Sequence, residues 1–481
     1  MNWLVLLPEY ILLLGLVINV VLCSIYQDSR VMVLHVFLLS LLVSLIGSVI
    51  FPFEGYIYTG LFVSSSILTL KRVVICFSAF VLLLGYDKMI EKDYDSSSFV
   101  LLQSSLIGVM LLISSSHLLT IYMGIELMSL PLYTLVAIRS WDDRSLEAAL
   151  KYFVTGAIAS GFLLFGFALL YAASGSLQLS VIKDMYDTHS ASNLLSPDAA
   201  KLVTGLAIAM MSAGLAFKLG LFPFHSWLPD VYQAARPDVV LWISTLPKLA
   251  VGTVMIKLTL ILQSQSIYWQ PIILILGVLS VLYGNLMALS QSEYKRMIAY
   301  SSISHMGFFM MGLYTLNELG YTSSLIYMLI YMLMSTITFG WLLLIEETKQ
   351  VPISSLGGLG YSSPLMGLII MAGIFSLAGV PPFAGFMSKA MVFASLIKQG
   401  DILTSVGLIV ISVFALGYYL NIVRLMYFKD ETTGEAIVLN ITTRKAVVLS
   451  GLGLGLLLTG ILPNHIMLFA NQAVTHASLI A

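Results

Sequence analysis

GLAFKLGLFPFHSWLPDVY, residues 214–232, is the stretch that decides how this chain folds. An apolar helical run carries Lys218 and is then interrupted by Pro223, two residues before His225. Proline lacks the N–H that a helix interior needs and leaves carbonyls of the preceding turn unpaired. In a bilayer such groups persist only where protein or water satisfies them. A helix break flanked by two proton-carrying residue types is costly in an apolar chain, so the rest of the sequence must explain it.

Of 481 residues, 59% are hydrophobic and only 10% charged, against about 25% charged in soluble domains. That balance over this length means an integral membrane protein with many spans. The net charge of −1 offers no basic surface, so nucleic acid is excluded as a partner. Cys23 and Cys76 lie in apolar segments without CxxC or zinc-like spacing, and support neither a metal site nor a disulfide scaffold. The opening MNWLVLLPEYILLLGL lacks a basic n-region and a small-residue cleavage site, and reads as a retained first span.

Apolar runs of about 20 residues mark the spans. Fourteen are found, near 3–25, 31–52, 72–90, 98–115, 117–138, 147–172, 200–234, 238–264, 268–290, 296–316, 320–346, 363–397, 403–428 and 446–471. The fold class is therefore an all-α polytopic membrane protein. Odd-numbered loops hold Arg30, Lys88, Lys92, Arg139, Arg144, Arg236, Lys295, Arg296, Lys349, Lys429, Arg444 and Lys445. Even-numbered loops hold Lys71, Arg72, Lys183, Lys201 and Lys398, and the tails hold no basic residue. The positive-inside rule then places both termini outside.

The seventh and twelfth spans are broken, and the breaks resemble each other. LFPFHSWL around Pro223 compares with VPPFAGFM around Pro382, 159 residues later, and each copy has a lysine nearby, Lys218 or Lys389. A shift of five helices reverses topology, so the copies form two inverted five-helix repeats, a plan in which broken helices mark an ion pathway. The expected division is 1–97 for helices one to three, 98–264 and 265–428 for the repeats, and 429–481 for the last loop and helix.

Lys218, Lys248 and Lys389 each sit well inside a span, where a charge costs about 2.5–3.5 kcal/mol on insertion scales. Glu126, in IYMGIELMSLPLY, is a carboxylate at similar depth. Face to face, Glu126 and Lys218 could hold each other charged, and separating them would release a proton. Buried structural ion pairs are the rival reading. His225 suits proton relay because its two nitrogens can receive and donate. His305, flanked by serines in YSSISHMGFFMMGLY, is either a satisfied core residue or a relay. Lys151 is left open, while Lys257 and Arg424 read as side chains snorkelling to an interface. His189 reads as a loop residue, and the many methionines as packing.

DDRSLEAALKYFVTGAIASGFLLFGFALLYAASGS, KLGLFPFHSWLPDVYQ, YKRMIAYSSISHMGF and SLAGVPPFAGFMSKAMVF resemble the antiporter-like subunit N family of NADH-quinone oxidoreductase (respiratory complex I, NDH-1), as does the opening LLPEYILL. The likeness runs through nearly the whole chain. It implies a proton-translocating membrane-arm subunit of a bacterial inner membrane, with both termini periplasmic, embedded in lipid and assembled with other membrane-arm subunits as a heteromultimer. The resemblance implies no cofactor in this chain, with FMN, iron–sulfur clusters, NADH and quinone belonging to the parent complex. The family's glutamate falls on Glu126 and its three lysines on Lys218, Lys248 and Lys389. Lys151 matches a lysine–tyrosine pair, and His225 and His305 match family histidines. AARPDVV after Gln233 and Pro247 before Lys248 depart from the family pattern. Two alternatives stand beside this reading: a subunit of a multisubunit cation/proton antiporter, and a structural membrane subunit without its own proton path.

Overall fold

The computed structural model describes residues 3–26, 28–53, 55–64, 67–91, 94–138, 142–188, 196–345, 351–428 and 439–480. Lys92, Arg139, His189, Lys349 and Lys429 lie outside the described residues. Helices α1 (Leu7–Ile25), α2 (Arg30–Ile50), α3 (Ile67–Met89), α4 (Ser97–Ser114), α5 (Leu118–Val136) and α6 (Asp143–Ser174) come first. A two-stranded antiparallel hairpin, β1 (Gly55–Ile57) and β2 (Phe62–Ser64), sits between α2 and α3. There follow α7 (Leu179–Asp187), α8 (Pro197–Leu219), α9 (Trp227–Ala234), α10 (Pro237–Ile261), α11 (Ser266–Leu289) and α12 (Tyr294–Tyr314). The chain continues through α13 (Glu318–Gly340), α14 (Leu359–Ser362), α15 (Pro364–Ala378) and α16 (Ala384–Gln399). It ends with α17 (Ile402–Phe428), α18 (Thr443–Ile461) and α19 (Asn464–Ile480).

Among the described residues, 12 helices are long and apolar enough to cross a membrane. The remaining two expected spans are α12, which carries Lys295 and Arg296 in its first turn, and the broken pair α15–α16. Unsatisfied backbone groups have no water to bond in hydrocarbon, so helices carry nearly all the chain. Over an 18-residue apolar stretch of each span, 94% of residues are buried in α10 and in the span that contains α13, against 22% in α18. Large apolar side chains such as Leu14, Leu39 and Leu150 point outward, as lipid-facing surfaces require.

Contacts divide the chain into two compact units. The first comprises Met1–Lys218, Leu246–Trp269 and Gln472–Ala481. In it α4 packs on α5, α1 on α2 and α4, and α5 on α6. The second comprises Leu219–Thr245 and Gln270–Asn471. There α13 packs against α12, α15 and α16, while α9 lies along α12.

Several sequence expectations are corrected. Lys71 and Arg72, expected in a loop, lie in the first turns of α3, and Lys71 is wholly buried. Lys445, also expected in a loop, lies buried in α18. Lys257 does not snorkel; it is buried within α10. The last span, expected to run unbroken to 471, stops at Ile461, and α19 starts at Asn464. Pro463 explains the stop, because proline pushes the residue before it out of helical geometry and Leu462 has φ −118°, ψ 67°.

Candidate functional site

Both helix breaks are built alike. α8 ends at Leu219, Gly220 takes φ +75°, and the Phe222–Pro223 peptide is cis. α15 ends at Ala378, Gly379 takes φ +84°, and the Pro381–Pro382 peptide is cis. The two glycines have the same 159-residue spacing as Pro223 and Pro382. A left-handed residue ending a helix favours glycine because it has no Cβ. A Cβ on Gly220 would stand 2.3 Å from Leu228 Cδ1, and one on Gly379 3.0 Å from Lys389 Cδ.

In the first unit, α5 presents Glu126, Ser129 and Tyr133 at spacings of three and four, which place them on one helix face. Lys218 is buried, and its Nζ donates to Ser129 Oγ and Tyr133 OH, both at 2.9 Å. No contact ion pair joins Lys218 to Glu126 among the described residues; the groups touching the Lys218 ammonium are the two hydroxyls. Glu126 is half-buried, and among the described residues its enclosed Oε1 has no hydrogen-bond partner. The ammonium therefore has neutral partners one and two turns along α5 from a carboxylate oxygen left open. Lys248 is 1% exposed inside α10, directly after Pro247, which deprives the carbonyl one turn back of its helical donor.

Lys151 is not brought into this group. It is half-exposed on the outer side of α6 and pairs with Glu147 at 2.7 Å, one turn back. Its neighbour Tyr152 faces inward and meets the Tyr133 ring edge-on at 4.5 Å.

In the second unit, His225 lies in the turn before α9, buried between the Phe222 ring at 5.4 Å and the Tyr283 ring at 4.5 Å. Its Nδ1 is enclosed and meets no side-chain hydrogen-bond partner among the described residues. His305, on α12, is engaged at both nitrogens: Nδ1 with Tyr327 OH at 2.7 Å and Nε2 with Tyr419 OH at 3.1 Å. Tyr419 OH also bonds Ser301 Oγ, and Ser302 Oγ bonds Tyr331 OH. One imidazole thus joins hydroxyls from α13 and α17 into a continuous chain that can take a proton at one nitrogen and yield one at the other. Sequence reasoning flagged the serines but missed the tyrosines, whose aromatic bodies look like ordinary packing.

Lys389 is buried in α16, with its Nζ 3.1 Å from Leu377 O and 3.0 Å from Ala378 O. These are carbonyls of the last turn of α15, which lack helical donors and carry the negative end of the helix dipole. The Phe308 ring lies 5.2 Å from the ammonium. Among the described residues, no group of three or more His, Cys, Asp or Glu side chains is placed to hold a metal ion.

Residues 115–415 match a protein family described as NADH:quinone oxidoreductase/Mrp antiporter, TM. NADH-quinone oxidoreductase subunit N from Ruthia magnifica subsp. Calyptogena magnifica is 36% identical over 474 residues, covering 96% of each chain. A chain of the solved respiratory complex I from Thermus thermophilus with bound aureothin superposes with a TM-score of 0.79 at 30% identity, covering 96% of this chain and 98% of that one. A chain of the solved Mrp complex from Dietzia sp. DQ12-45-1b superposes with a TM-score of 0.83 at 18% identity, covering 100% and 99% respectively, which is a likeness of fold alone.

Proposed function

Since the chain belongs to the NADH:quinone oxidoreductase/Mrp antiporter transmembrane family, we propose that it is the subunit of a respiratory NADH:quinone oxidoreductase that moves protons through its own buried side chains. Electron transfer takes place in other subunits, which hold the FMN, iron–sulfur clusters, NADH and quinone. Other membrane-arm subunits are its partners, and the bacterial inner membrane is its location. The two breaks are read as corresponding points of inverted repeats spanning 98–264 and 265–428.

The observation that carries the reading is the Lys218 environment. A buried ammonium needs compensation, and here hydroxyls supply it while a carboxylate oxygen on the same α5 face stays unpaired. Lys218 therefore has two sets of partners of different charge. Held by Glu126, the ammonium keeps its proton, because opposite charges in low dielectric attract strongly. Held by Ser129 and Tyr133, it has no counter-charge in direct contact, and a hydroxyl can donate back to a neutral amine. Switching between the two converts a displacement in the complex into proton release. Lys248, His305 and Lys389 are the groups through which the proton then passes, with His225 a relay beside the break. Lys151 is assigned a supporting role only.

Replacing Lys218 with Ala in the intact complex should sharply reduce the protons pumped per NADH oxidised in proteoliposomes, while the complex still assembles. A wild-type ratio would overturn the reading. Purification in mild detergent separates it from a cation/proton antiporter, which would not bring down flavin and iron–sulfur subunits.

A further inference from the structure

The first unit buries a second set of charges that the pathway above does not use. Glu9 stands in the first turn of α1, Lys71 in the first turns of α3, and Lys257 in the last turns of α10. Their exposures are 3%, 0% and 6%. Lys71 Nζ lies 2.6 Å from Glu9 Oε1, which also accepts from Ser114 Oγ at 2.9 Å. Among the described residues Lys257 pairs with no carboxylate; its Nζ donates to Ile113 O at 2.6 Å and Ser115 O at 2.8 Å, at the C-terminal end of α4. Arg72 turns away, to Ser48 Oγ at 3.3 Å and to the Ser48 carbonyl. Tyr10 bonds Tyr58 OH at 3.0 Å.

We propose that Glu9, Lys71 and Lys257 form a second buried proton-binding site, in which Lys257 is the group that gains and loses the proton. The inference rests on the proton-translocating reading and extends it to the end of the first unit at which α1 begins.

Glu9 and Lys71 neutralise each other, so a protonated Lys257 leaves one uncompensated positive charge in an apolar interior, and a neutral Lys257 leaves none. An ammonium has three N–H donors and a neutral amine two, and among the described residues two carbonyls accept from Nζ, so both are served in either protonation state. The α4 dipole steadies the ammonium, and burial in an apolar interior opposes it. The two forms are set by opposing local terms rather than locked by a salt bridge. Lys389 is held in the same manner, by two carbonyls at the end of a broken helix. Glu9 Oε2 is also buried without a partner, an acceptor left open beside the pair.

Place supports the role. Lys248 and Lys257 lie on one helix, about 13.5 Å apart along its axis at 1.5 Å per residue. The β1–β2 hairpin closes this end: Leu61 O accepts from Ser116 N at 3.1 Å, Gly60 O accepts from Ser116 Oγ at 2.6 Å, and Val5, Leu6 and Ile57 pack together. The cluster sits beneath a surface segment, where a proton from the interior would be handed over.

The test uses Lys257→Arg in the intact complex in proteoliposomes, scored as protons pumped per NADH oxidised and normalised to the amount of this chain. Arginine keeps the charge and the carbonyl donors but does not release its proton, so a structural role survives it. The ratio is expected to fall to that of Lys218→Ala, and the double variant no further. A Lys257→Arg ratio equal to wild type, with Lys218→Ala reduced, overturns this inference and leaves the proposed function standing; wild-type ratios in both overturn the proposed function itself. If the arginine variant does not assemble, Lys257→Gln, which keeps two neutral N–H donors for the carbonyls, is scored by the same criteria.

Discussion

A lysine inside an apolar helix must be given acceptors, and the acceptor chosen decides what the lysine can do. Lys257, Lys295 and Lys389 are all given main-chain carbonyls at helix ends. A carbonyl only accepts, so it steadies donors without offering a proton. Lys218 is given two side-chain hydroxyls, which can also donate to an amine once it is neutral. Removing both hydroxyls, Ser129→Ala with Tyr133→Phe, should leave Glu126 as the nearest stabilising group on that face of α5 and trap the ammonium. Proton pumping per NADH is expected to drop toward the Lys218→Ala value, whereas Tyr133→Phe alone, keeping the serine, should retain most of it. Unchanged pumping in the double variant would show that the hydroxyls are packing groups. Each lost hydrogen bond to the charge also costs about 1.5–3 kcal/mol, so the amount of assembled complex should be measured alongside.

At the scale of elements, the two broken helices position the chemistry, and glycine makes each break possible. Gly379→Ala puts a Cβ at φ +84°, 3.0 Å from the Lys389 side chain. The left-handed conformation costs roughly 1–2 kcal/mol for a residue with a Cβ, and the crowding pushes Lys389 off the α15 carbonyls. The thermal midpoint of the complex should fall and pumping should decline, while Gly407→Ala, with open space around its Cβ position in α17, should change neither. Equal behaviour of the two variants would mean that the break tolerates a side chain. The breaks were legible in the sequence because Pro223 and Pro382 announce them, as were the lysines that stand alone in apolar runs. Gly220 and Gly379 were not, since nothing local distinguishes a helix-ending glycine from the other 34. Lys71 was misread because its compensating charge, Glu9, lies 62 residues upstream. Lys257 was misread for the same reason, its acceptors being on α4 rather than within its own helix. Hydropathy sees the cost of a charge and not the remote partner that offsets it.

At the scale of the whole molecule, the orientation survives these corrections. Twelve basic residues in odd loops stood against five in even loops. Only residues near the surface act in the positive-inside rule; setting aside the buried Lys295 and Lys445 from the first count and the buried Lys71 from the second leaves ten against four, and the bias stands. α19 bears on the C-terminus. At 17 residues it is shorter than the helices that qualify as spans, and Asn471 bonds Thr322 Oγ1 at 2.8 Å, near the start of α13. That contact holds α19 beside the start of α13, so α19 is not itself a further crossing. Both termini are therefore expected on the periplasmic side. A periplasm-dependent phosphatase fused after Ala481 should be active, and the same reporter placed at Trp141, between α5 and α6, should be silent. The reverse pattern would turn the protein over, and activity at both positions would require an odd number of crossings between them to become even. With the expected pattern, the end of the first unit that holds Glu9, Lys71 and Lys257 faces the periplasm, and a proton leaving Lys257 leaves the cell's interior.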